Sequence, residues 1–305
     1  MKTRSPSLRR ARRTRRAVGL ALLTLWLVIL AVLFLLPTAL TLTNSFLSAS
    51  EITANYGAVF AENSAGGRAY IAERVRLKFI PDMVSLKQYA AVLLQSPDYL
   101  LKFWNSVFLT APVMLGQAAV ACMAAYGFSR YRGRGRNLLF FGYVVLMLMP
   151  TQVTLVPNYL VAKRLGLLDT RWSIVLPGIF SPFAVFILTK SMRRIPRGSL
   201  EAARLDGAGE WKVFTRICLP SVKGALFSVL ILIFIDYWNL VEQVLILLTD
   251  EDAQPLSVFL SQINAGEISL AFAAASVYMI PAILLFLYGE EYLVEGIAYS
   301  GGIKG

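Results

Sequence analysis

The chain has 305 residues, of which 57% are hydrophobic and only 16% are charged, and its formal net charge is +12. A soluble domain carries about a quarter of charged residues, so these values favour an integral membrane protein. The chain contains no histidine, which excludes most zinc sites, Ser-His-Asp triads and Cys-His dyads.

The positive charge is concentrated beside apolar runs, which indicates contact with a membrane surface and not with nucleic acid. The two cysteines, Cys122 and Cys218, lie in a predicted span and a predicted loop, and they form no CxxC pair. They predict neither a disulfide nor a metal site.

The amino-terminal region predicts a basic cytoplasmic tail followed by a membrane span. Residues 1–16 contain eight Lys or Arg and no acidic residue. The next 20 residues are uncharged and apolar, long enough to cross a bilayer and longer than the core of a cleaved signal peptide. We therefore place a first transmembrane helix at 17–37, with the amino terminus in the cytoplasm.

The next segment, 38–102, is polar and is predicted to lie outside. It contains an amphipathic stretch, 85–95, in which apolar residues recur at helical spacing. These residues are Leu86, Tyr89, Ala90 and Leu93. They predict a helix that either lies flat along the outer membrane face, which is the preferred interpretation, or contacts the component that delivers the substrate.

Five further apolar runs predict the remaining transmembrane helices. Several contain proline, which membrane helices tolerate and which either provides hinges or simply reflects the composition of such helices. The predicted spans are about 105–128, 138–160, 172–189, 224–248 and 270–288. With their loops they form a core at 103–291, and a short cytoplasmic tail, 292–305, ends the chain.

The loop charges predict the orientation of these six spans. The segments placed inside hold 21 of the 30 Lys and Arg residues, and the outer segments hold the other nine. By the positive-inside rule, both termini lie in the cytoplasm. The longest inner loop, 195–222, then lies on the cytoplasmic side as well.

This loop, 195–222, predicts two short amphipathic helices joined by a glycine-rich bend. Ser199 is the expected N-cap of the first helix, with Glu201 in its first turn. The bend is expected at Asp206-Gly207 and Gly209. The second helix is expected to present Trp211, Phe214 and Ile217 on one stripe and to end at Leu219-Pro220. Two such helices at a membrane surface would form a docking knob.

The fifth predicted span carries an unusual set of polar residues. They are Asp236, Asn239, Glu242 and Gln243, spaced to lie near one helical face, with Trp238 beside them. Acidic groups inside a membrane normally face a cavity or a partner. One interpretation is a translocation pathway for a hydroxyl-rich solute, and the other is a polar seam that pairs with a second permease subunit or caps the outer end of the helix. Gln117, Gln152 and Asn158 are expected to form hydrogen bonds between helices.

Several catalytic motifs are missing from the sequence. No stretch matches G-x-x-x-x-G-K-[ST], HExxH or GxSxG. An enzymatic function is therefore not expected, and ATP used by this protein would be hydrolysed by another polypeptide.

The loop resembles the EAA loop of permease subunits of binding-protein-dependent ABC importers. That pattern has Glu-Ala-Ala, a glycine six residues after the glutamate, and then Ile-x-Leu-Pro, and this chain has it at 201–203, 207 and 217–220. From about Tyr99 onward the chain is similar to the maltose-type, sugar-importing branch. Further matches are Asn105-Ser106-Val107, Ala-Tyr-Gly-Phe-Ser-Arg at 125–130, Met-Pro-Thr-Gln-Val at 149–153, Leu-Gly-Leu-Leu-Asp-Thr at 165–170, Leu176-Pro177-Gly178, Trp238-Asn239 and Ile303-Lys304-Gly305.

The resemblance implies a type-1 ABC importer permease, an all-α polytopic protein of the bacterial cytoplasmic membrane. Its partners would be a second homologous permease, an ABC ATPase dimer and an extracytoplasmic solute-binding protein. The chain itself would bind no cofactor. Glu201 would pair with a basic group on the ATPase, and Gly207 would permit the bend. The residues that carry this coupling by resemblance are Glu201, Ala202, Ala203, Asp206, Gly207, Gly209, Ile217, Leu219 and Pro220.

The sequence departs from the family in two places and leaves two alternatives open. Lys223-Gly224 stands where the family often has Lys-Pro, and Glu290-Glu291 replaces a basic end of the sixth span. One alternative is an ABC permease for another solute, such as glycerol phosphate or a peptide. The other is a secondary transporter driven by protons through Asp236 and Glu242, which would leave the docking loop unexplained.

Overall fold

The computed structural model describes residues 6–64, 77–131, 133, 135–262 and 268–300, and every regular element within these ranges is helical. Helices satisfy their backbone hydrogen bonds internally, as apolar surroundings require. The helices are α1 (Pro6–Asn44), α2 (Ala49–Ser64), α3 (Lys87–Ala90), α4 (Pro97–Arg130), α5 (Arg136–Met147), α6 (Thr151–Arg164), α7 (Trp172–Gly178), α8 (Pro182–Arg193), α9 (Arg197–Leu205), α10 (Glu210–Ser221), α11 (Lys223–Trp238), α12 (Glu242–Leu247), α13 (Leu256–Ser261) and α14 (Ile268–Ser300).

Four stretches are long and apolar enough to cross a membrane as they stand. They are Ala17–Asn44, Pro97–Arg130, Trp172–Arg193 and Leu270–Tyr292. Two further helix pairs are sharply bent, α5 with α6 and α10 with α11, and the total reaches six if each pair is one span. The predicted all-helical membrane architecture is confirmed.

The third predicted span, 138–160, is not one straight helix. α5 and α6 meet at an angle of 102°. The break lies at Pro150, which has extended geometry (φ −61°, ψ 142°) as the N-cap of α6. Proline disfavours helical geometry in the residue before it, so α5 ends ahead of Met149 and a new helix begins at Thr151.

The fifth predicted span, 224–248, is also interrupted. α11 ends at Trp238, and a separate short helix, α12, begins at Glu242. Asn239 caps α11 by donating from Nδ2 to the carbonyl oxygen of Ile235, 2.8 Å away. The prediction that the polar residues of this span share the face of a continuous helix is therefore wrong.

The core of residues 93–263 lies where α4, α8 and α11 pack together, around Val113, Leu188 and Val229. Small residues permit this close approach. A Cβ at Gly116 would lie 2.7 Å from Ile179, and one at Gly178 would lie 2.8 Å from the hydroxyl of Tyr237. Lipid tails are as apolar as these side chains, so close packing of this kind, and not the hydrophobic effect, drives helices together in a membrane.

The Asn105-Ser106 pair ties α4 to the segment after α12. Asn105 Nδ2 donates to the carbonyl oxygens of Asp252 (2.6 Å) and Gln254 (3.0 Å), and its Oδ1 accepts from Arg171. Ser106 Oγ accepts from the backbone N–H of Leu256 at 3.0 Å. Both side chains are buried, so the resemblance at this motif corresponds to a structural anchor.

A separate compact unit contains the outer segment up to Val92. Leu47, Ile52 and Tyr56 form its core with Phe272. Asn44 donates to the Tyr56 hydroxyl at 2.7 Å, and Glu51 accepts from Ser48, Lys78 and the backbone of Asp82. The amphipathic helix predicted at 85–95 is present as α3 followed by a π-helical turn, Ala91–Gln95.

Some predictions fall outside the described residues. They concern the first part of the basic tail (1–5), residues 65–76 of the outer segment, Arg132 and Arg134, and the terminal Ile303-Lys304-Gly305. The helix of the sixth predicted span extends beyond its predicted end at 288 and continues to Ser300.

Candidate coupling loop and membrane cavity

The docking loop, residues 195–222, begins with a helix that starts earlier than predicted. α9 begins at Arg197, with Pro196 in the N-cap position at φ −56° and ψ 135°. The ring of Pro196 already fixes φ near the helical value, so the chain enters the helix at the next residue. The prediction of Ser199 as the N-cap is therefore wrong, and Glu201 lies beyond the first turn.

The bend between the two short helices depends on Gly207. This residue has φ +78°, a left-handed conformation that favours glycine. The N–H of Gly207 donates to the carbonyl of Arg204 at 3.0 Å, and that of Ala208 donates to Ala203 at 2.9 Å. These two bonds define a Schellman motif, in which an apolar contact joins Ala208 to the helix that precedes it. The pattern Glu-Ala-Ala-x-x-x-Gly thus corresponds to a capped helix end.

The second short helix differs from its predicted register and length. Val213 and Cys218 are buried with Leu200, and Phe214 is buried in the core of α4, α8 and α11, whereas Trp211 is 68% exposed. Trp211 contacts Phe214 as predicted, with ring centroids 5.5 Å apart, and a π-helical turn at Phe214–Cys218 adds a residue that changes the register of the helix beyond Phe214. The helix also continues through Pro220 to Ser221, so its predicted end at Leu219-Pro220 is wrong. A wider turn just before proline relieves the clash that would otherwise end the helix.

Polar side chains connect the docking loop to the end of α4. Glu210 accepts from the hydroxyl of Tyr126, and it forms an ion pair with Arg204 at 2.8 Å. The Arg204–Glu210 pair bridges the two short helices across the bend. The Tyr126 hydroxyl, followed by the Arg204 charge, holds the pKa of Glu210 below its ordinary value. We call these three residues the polar latch.

The predicted coupling residues lie largely on the surface of the loop. Glu201, Ala202, Asp206, Gly207, Gly209 and Pro220 are exposed, whereas Ala203, Ile217 and Leu219 are half-buried. Glu201 borders an open cavity of about 660 Å³ together with the arginines Arg130, Arg136, Arg197 and Arg204. The outward face of α9 therefore offers one carboxylate among several cations to a partner.

A second cavity, of about 630 Å³, lies among the helices; we call it the membrane cavity. Four predicted pathway residues line it together, because the break after α11 turns the chain around it: Asp236, Asn239, Glu242 and Gln243. Sequence reasoning did not assign Thr151, Ser181, Phe183 or Tyr237 to this site, although they also line it. No sequence signal places these residues together, since they come from the amino-terminal ends of two other helices, α6 and α8, and from the last turn of α11.

Trp238 is placed differently from the other predicted pathway residues. It is buried, and its indole Nε1 donates to the carbonyl oxygen of Tyr278 at 3.1 Å. Its ring stacks between Phe234 and Tyr278. Trp238 therefore packs α11 against α14 and is not among the residues that line the membrane cavity.

Gln117 also lines the membrane cavity. Its side chain is on α4 and is only 3% exposed, yet its Oε1 atom has no hydrogen-bond partner among the described residues. For this oxygen, the expected hydrogen bond between helices is absent from the part of the chain that the structure describes. A buried oxygen without a partner is energetically unfavourable, so a donor entering the cavity would be stabilised there.

Comparison with known protein families identifies the class. Residues 117–298 match the family "Binding-protein-dependent transport system inner membrane component". This range contains the docking loop and most of the membrane cavity lining, and the chain belongs to this family. It is a multi-pass permease subunit of an ABC importer, as the resemblance at 201–220 predicted.

Individual relatives extend the match over most of the chain. The arabinooligosaccharides transport system permease protein AraQ of Bacillus subtilis (strain 168) is 27% identical over 286 residues, which are 93% of this chain and 95% of that protein. The polygalacturonan/rhamnogalacturonan transport system permease protein YtcP of the same organism is 30% identical and covers 79% of this chain and 90% of its own length.

Solved structures show the same fold. A chain of a bacterial ABC transporter involved in the import of the acidic polysaccharide alginate superposes with a TM-score of 0.73 at 24% identity, over 96% of this chain and 99% of that one. A second chain, from an alginate transporter in complex with a pentasaccharide-bound periplasmic protein, gives a TM-score of 0.58 at 14% identity. The predicted type-1 importer permease fold is confirmed.

Proposed function

We propose that the chain forms half of the translocation pathway of an ATP-driven saccharide importer. The docking loop would transmit the closure of the ATPase to the membrane helices. The observation that carries this proposal is the exposed knob of α9 and α10, held by the Gly207 bend and latched to α4 through Glu210. The saccharide cargo is supported by relatives named for the transport of arabinooligosaccharides and of polygalacturonan/rhamnogalacturonan.

The proposed topology has six spans with both termini in the cytoplasm. The bent pair α5 and α6 forms the third span, and α11 forms the fifth, shorter than predicted because α12 turns away. The charge distribution supports this orientation, since most Lys and Arg residues flank the docking-loop side. The segments 1–16, 17–37, 38–102, 103–291 and 292–305 are then the inner tail, first span, outer segment, permease core and inner tail.

The proposed complex contains three kinds of partner besides the bilayer. A second homologous permease would complete the pathway, an ATPase dimer would hydrolyse ATP, and a solute-binding protein would deliver the cargo. The last is supported by the family description and by the alginate structure that includes a periplasmic protein. This chain would contribute no catalytic group and bind no cofactor.

In the proposed mechanism, closure of the ATPase displaces the docking loop. Glu201 is exposed on α9 and is free to pair with a basic group of the ATPase. The polar latch passes the displacement to α4, because Tyr126 lies on α4 and donates directly to Glu210. α4 in turn packs on α8 and α11, which border the membrane cavity. Coupling would therefore pass from the loop to the pathway through packed helices.

The first test is affinity purification of the tagged protein from its native membrane in mild detergent, followed by mass spectrometry. We expect a second permease and an ATPase with a Walker motif to co-purify. Glu201→Ala should reduce the ATPase recovered, with the second permease retained, because only the loop contact is weakened. Recovery of the chain alone, with Glu201→Ala unchanged, would refute the coupling role.

A further inference from the structure

The membrane cavity is rich in hydrogen-bond acceptors. Asp236 and Glu242 contribute carboxylates, and no Lys or Arg is among the described residues that line it. The chain as a whole is basic, with 30 Lys and Arg residues against 18 acidic residues. The charge balance of the cavity lining is therefore opposite to that of the protein. The cavity is therefore unsuited to an anionic solute.

The unpaired oxygen of Gln117 points to the same kind of ligand. Gln117 is buried and its Oε1 has no partner in the described part of the chain, although the residue borders the cavity. Asn239 uses its Nδ2 to cap α11, while its Oδ1 faces the Tyr278 hydroxyl at 3.1 Å. The Gln117 oxygen and the carboxylates of Asp236 and Glu242 are therefore the acceptors that hydroxyl or amine groups of a ligand can meet in this cavity.

The partial charges of the helix ends near the cavity offset part of the acidic character of its lining but do not reverse it. The amino-terminal ends of α6 and α8 reach the cavity at Thr151 and Ser181, and each carries about half a positive charge. The carboxyl end of α11 carries about half a negative charge and cancels one of them. The lining also holds the carboxyl side chains of Asp236 and Glu242 and no basic side chain among the described residues, so its acidic character is retained.

Phe183 and Tyr237 complete the site. Both line the cavity, and Phe183 is 38% exposed towards open space. Aromatic rings beside a few polar groups are typical of sites for small molecules. The apolar face of a pyranose ring fits against such a ring, while its hydroxyls reach the surrounding acceptors.

We infer that this subunit admits a saccharide without acidic groups, either uncharged or bearing amines, and discriminates against uronates. This inference rests on the proposed function of the cavity as part of a saccharide pathway. It separates the chain from proteins with the same architecture that are named for alginate or polygalacturonan, both acidic polymers. Specificity here comes from a repulsive element, since like charges at close range are disfavoured.

The test measures saccharide binding to the complete complex purified from its native membrane, without the binding protein. The probes are di- and tetrasaccharides of three kinds: N-acetylglucosamine (uncharged), glucosamine (amine-bearing) and galacturonate (acidic). In calorimetric titrations at low salt we expect the galacturonate series to bind at least about tenfold more weakly than the uncharged series, a difference of one decade in Kd. The amine series should bind at least as well as the uncharged one.

Substitutions test whether the residues that line the membrane cavity cause the discrimination against uronates. Asp236→Asn should bring the galacturonate and uncharged affinities to within about threefold, since one full charge is removed. Asp252→Asn, in the exposed outer loop away from the cavity, should leave the ratio unchanged. Gln117→Leu should weaken all three series together, because it removes an acceptor without changing charge. If Asp236→Asn fails to fold, the unmodified complex offers a second measurement. Added salt should bring its galacturonate and uncharged saccharide affinities closer together, because salt screens the charge repulsion.

The possible failures are distinguishable. If galacturonates bind as tightly as uncharged saccharides to the unmodified complex, the charge inference is overturned and the saccharide pathway stands. If no series binds, the inference fails, whereas the proposed saccharide function fails only if the complete importer with its binding protein takes up no saccharide. A change of ratio in Asp252→Asn as large as that in Asp236→Asn would also overturn the assignment to the cavity.

Discussion

Two glycine bends in this chain have the same local geometry and different surroundings. Gly166 has φ +67° and Gly207 has φ +78°. Each comes after a helix and closes a Schellman motif, because Leu167 donates to Ala162 at 2.9 Å just as Ala208 donates to Ala203 at 2.9 Å. Local sequence and local structure therefore do not distinguish a rigid loop from a docking element.

The difference lies in the residues on the carboxyl side of each glycine. After Gly166, Leu167 joins a core that includes Val244 and Leu247, and Asp169 accepts from the backbone and side chain of Thr249. After Gly207, the small side chain of Ala208 joins only a minor cluster around Leu200. The polar latch connects this bend to α4 beside the contact between the Phe214 and Tyr126 rings, whereas Ala208 itself adds little to the core. The function of a bend therefore depends on how weakly the neighbouring core holds it.

The largest expected effect comes from Gly207→Val compared with Gly166→Val. Both substitutions place a β-branched residue in a left-handed conformation that costs about 1–2 kcal/mol, equivalent to roughly a tenfold shift in a local equilibrium. We expect Gly166→Val to lower thermal stability while uptake per ATP hydrolysed is retained. Gly207→Val should insert and assemble but lose most uptake per ATP. Reconstituted complexes in proteoliposomes provide both measurements.

Gly198→Val is the matched control for Gly207→Val within the same loop. Gly198 lies in α9, does not have positive φ, and has open space where a Cβ would be placed. The control should therefore retain coupling. Equal losses of uptake per ATP in the Gly166 and Gly207 variants would refute the distinction between the two bends.

The sequence predicted features that depend on composition or on a local motif. The apolar runs predicted the long helices, and the glycine six residues after Glu201 predicted the bend, since both depend on nearest neighbours along the chain. The 102° break before Thr151 was missed because proline is often accommodated within membrane helices. Whether a given proline kinks or breaks a helix depends on tertiary contacts.

The membrane cavity was predictable only in part. Asp236 and Asn239 were found because polar residues are rare in apolar runs. Trp238 was grouped with them by spacing, yet its side chain packs against Tyr278 on a distant helix. Gln117 was assigned an ordinary hydrogen bond, since nothing in the sequence shows that its oxygen lacks a partner. Such assignments require the packing of helices that are far apart in sequence.

An intermediate effect on uptake per ATP is expected at the Gly207 bend when the hydroxyl that donates to its neighbouring carboxylate is removed, and no effect is expected from the same change at the Gly166 bend. Tyr126→Phe leaves Glu210 with Arg204 alone, and we expect uptake per ATP to fall about two- to fivefold, since a partly exposed charged hydrogen bond contributes about 0.5–1 kcal/mol. Thr249→Val leaves the backbone donor to Asp169 in place at 2.7 Å, so uptake per ATP should be unchanged. The measurement is the same proteoliposome assay.

Tyr143→Phe is the control for the loss of a tyrosine hydroxyl in the same unit, because the Tyr143 ring packs on Phe128 away from the latch. It should behave like the unmodified protein. A combined Tyr126→Phe and Glu210→Gln variant should lose no more than the worse of the two single variants, because both remove one interaction. Fully additive losses would show that Tyr126 acts elsewhere.

The smallest expected effect is the response of the two bends to acid. Hydrogen bonds from Thr249 hold the pKa of Asp169 below its ordinary 3.8, and the Tyr126 hydroxyl holds that of Glu210 below its ordinary 4.5. A carboxylate with a lowered folded-state pKa stabilises fully above its unfolded pKa, and this stabilisation is lost as pH falls through the folded value. Hydrogen-exchange protection, corrected for intrinsic rates, should therefore begin to fall near pH 4.5 at Gly207 and Ala208 and only near pH 3.8 at Thr249. Glu210→Gln should remove the loss of protection at Gly207 and Ala208 and leave the loss of protection at Thr249. If protection at both bends falls together in that variant, the acid response is a global transition and the two bends are not independently anchored.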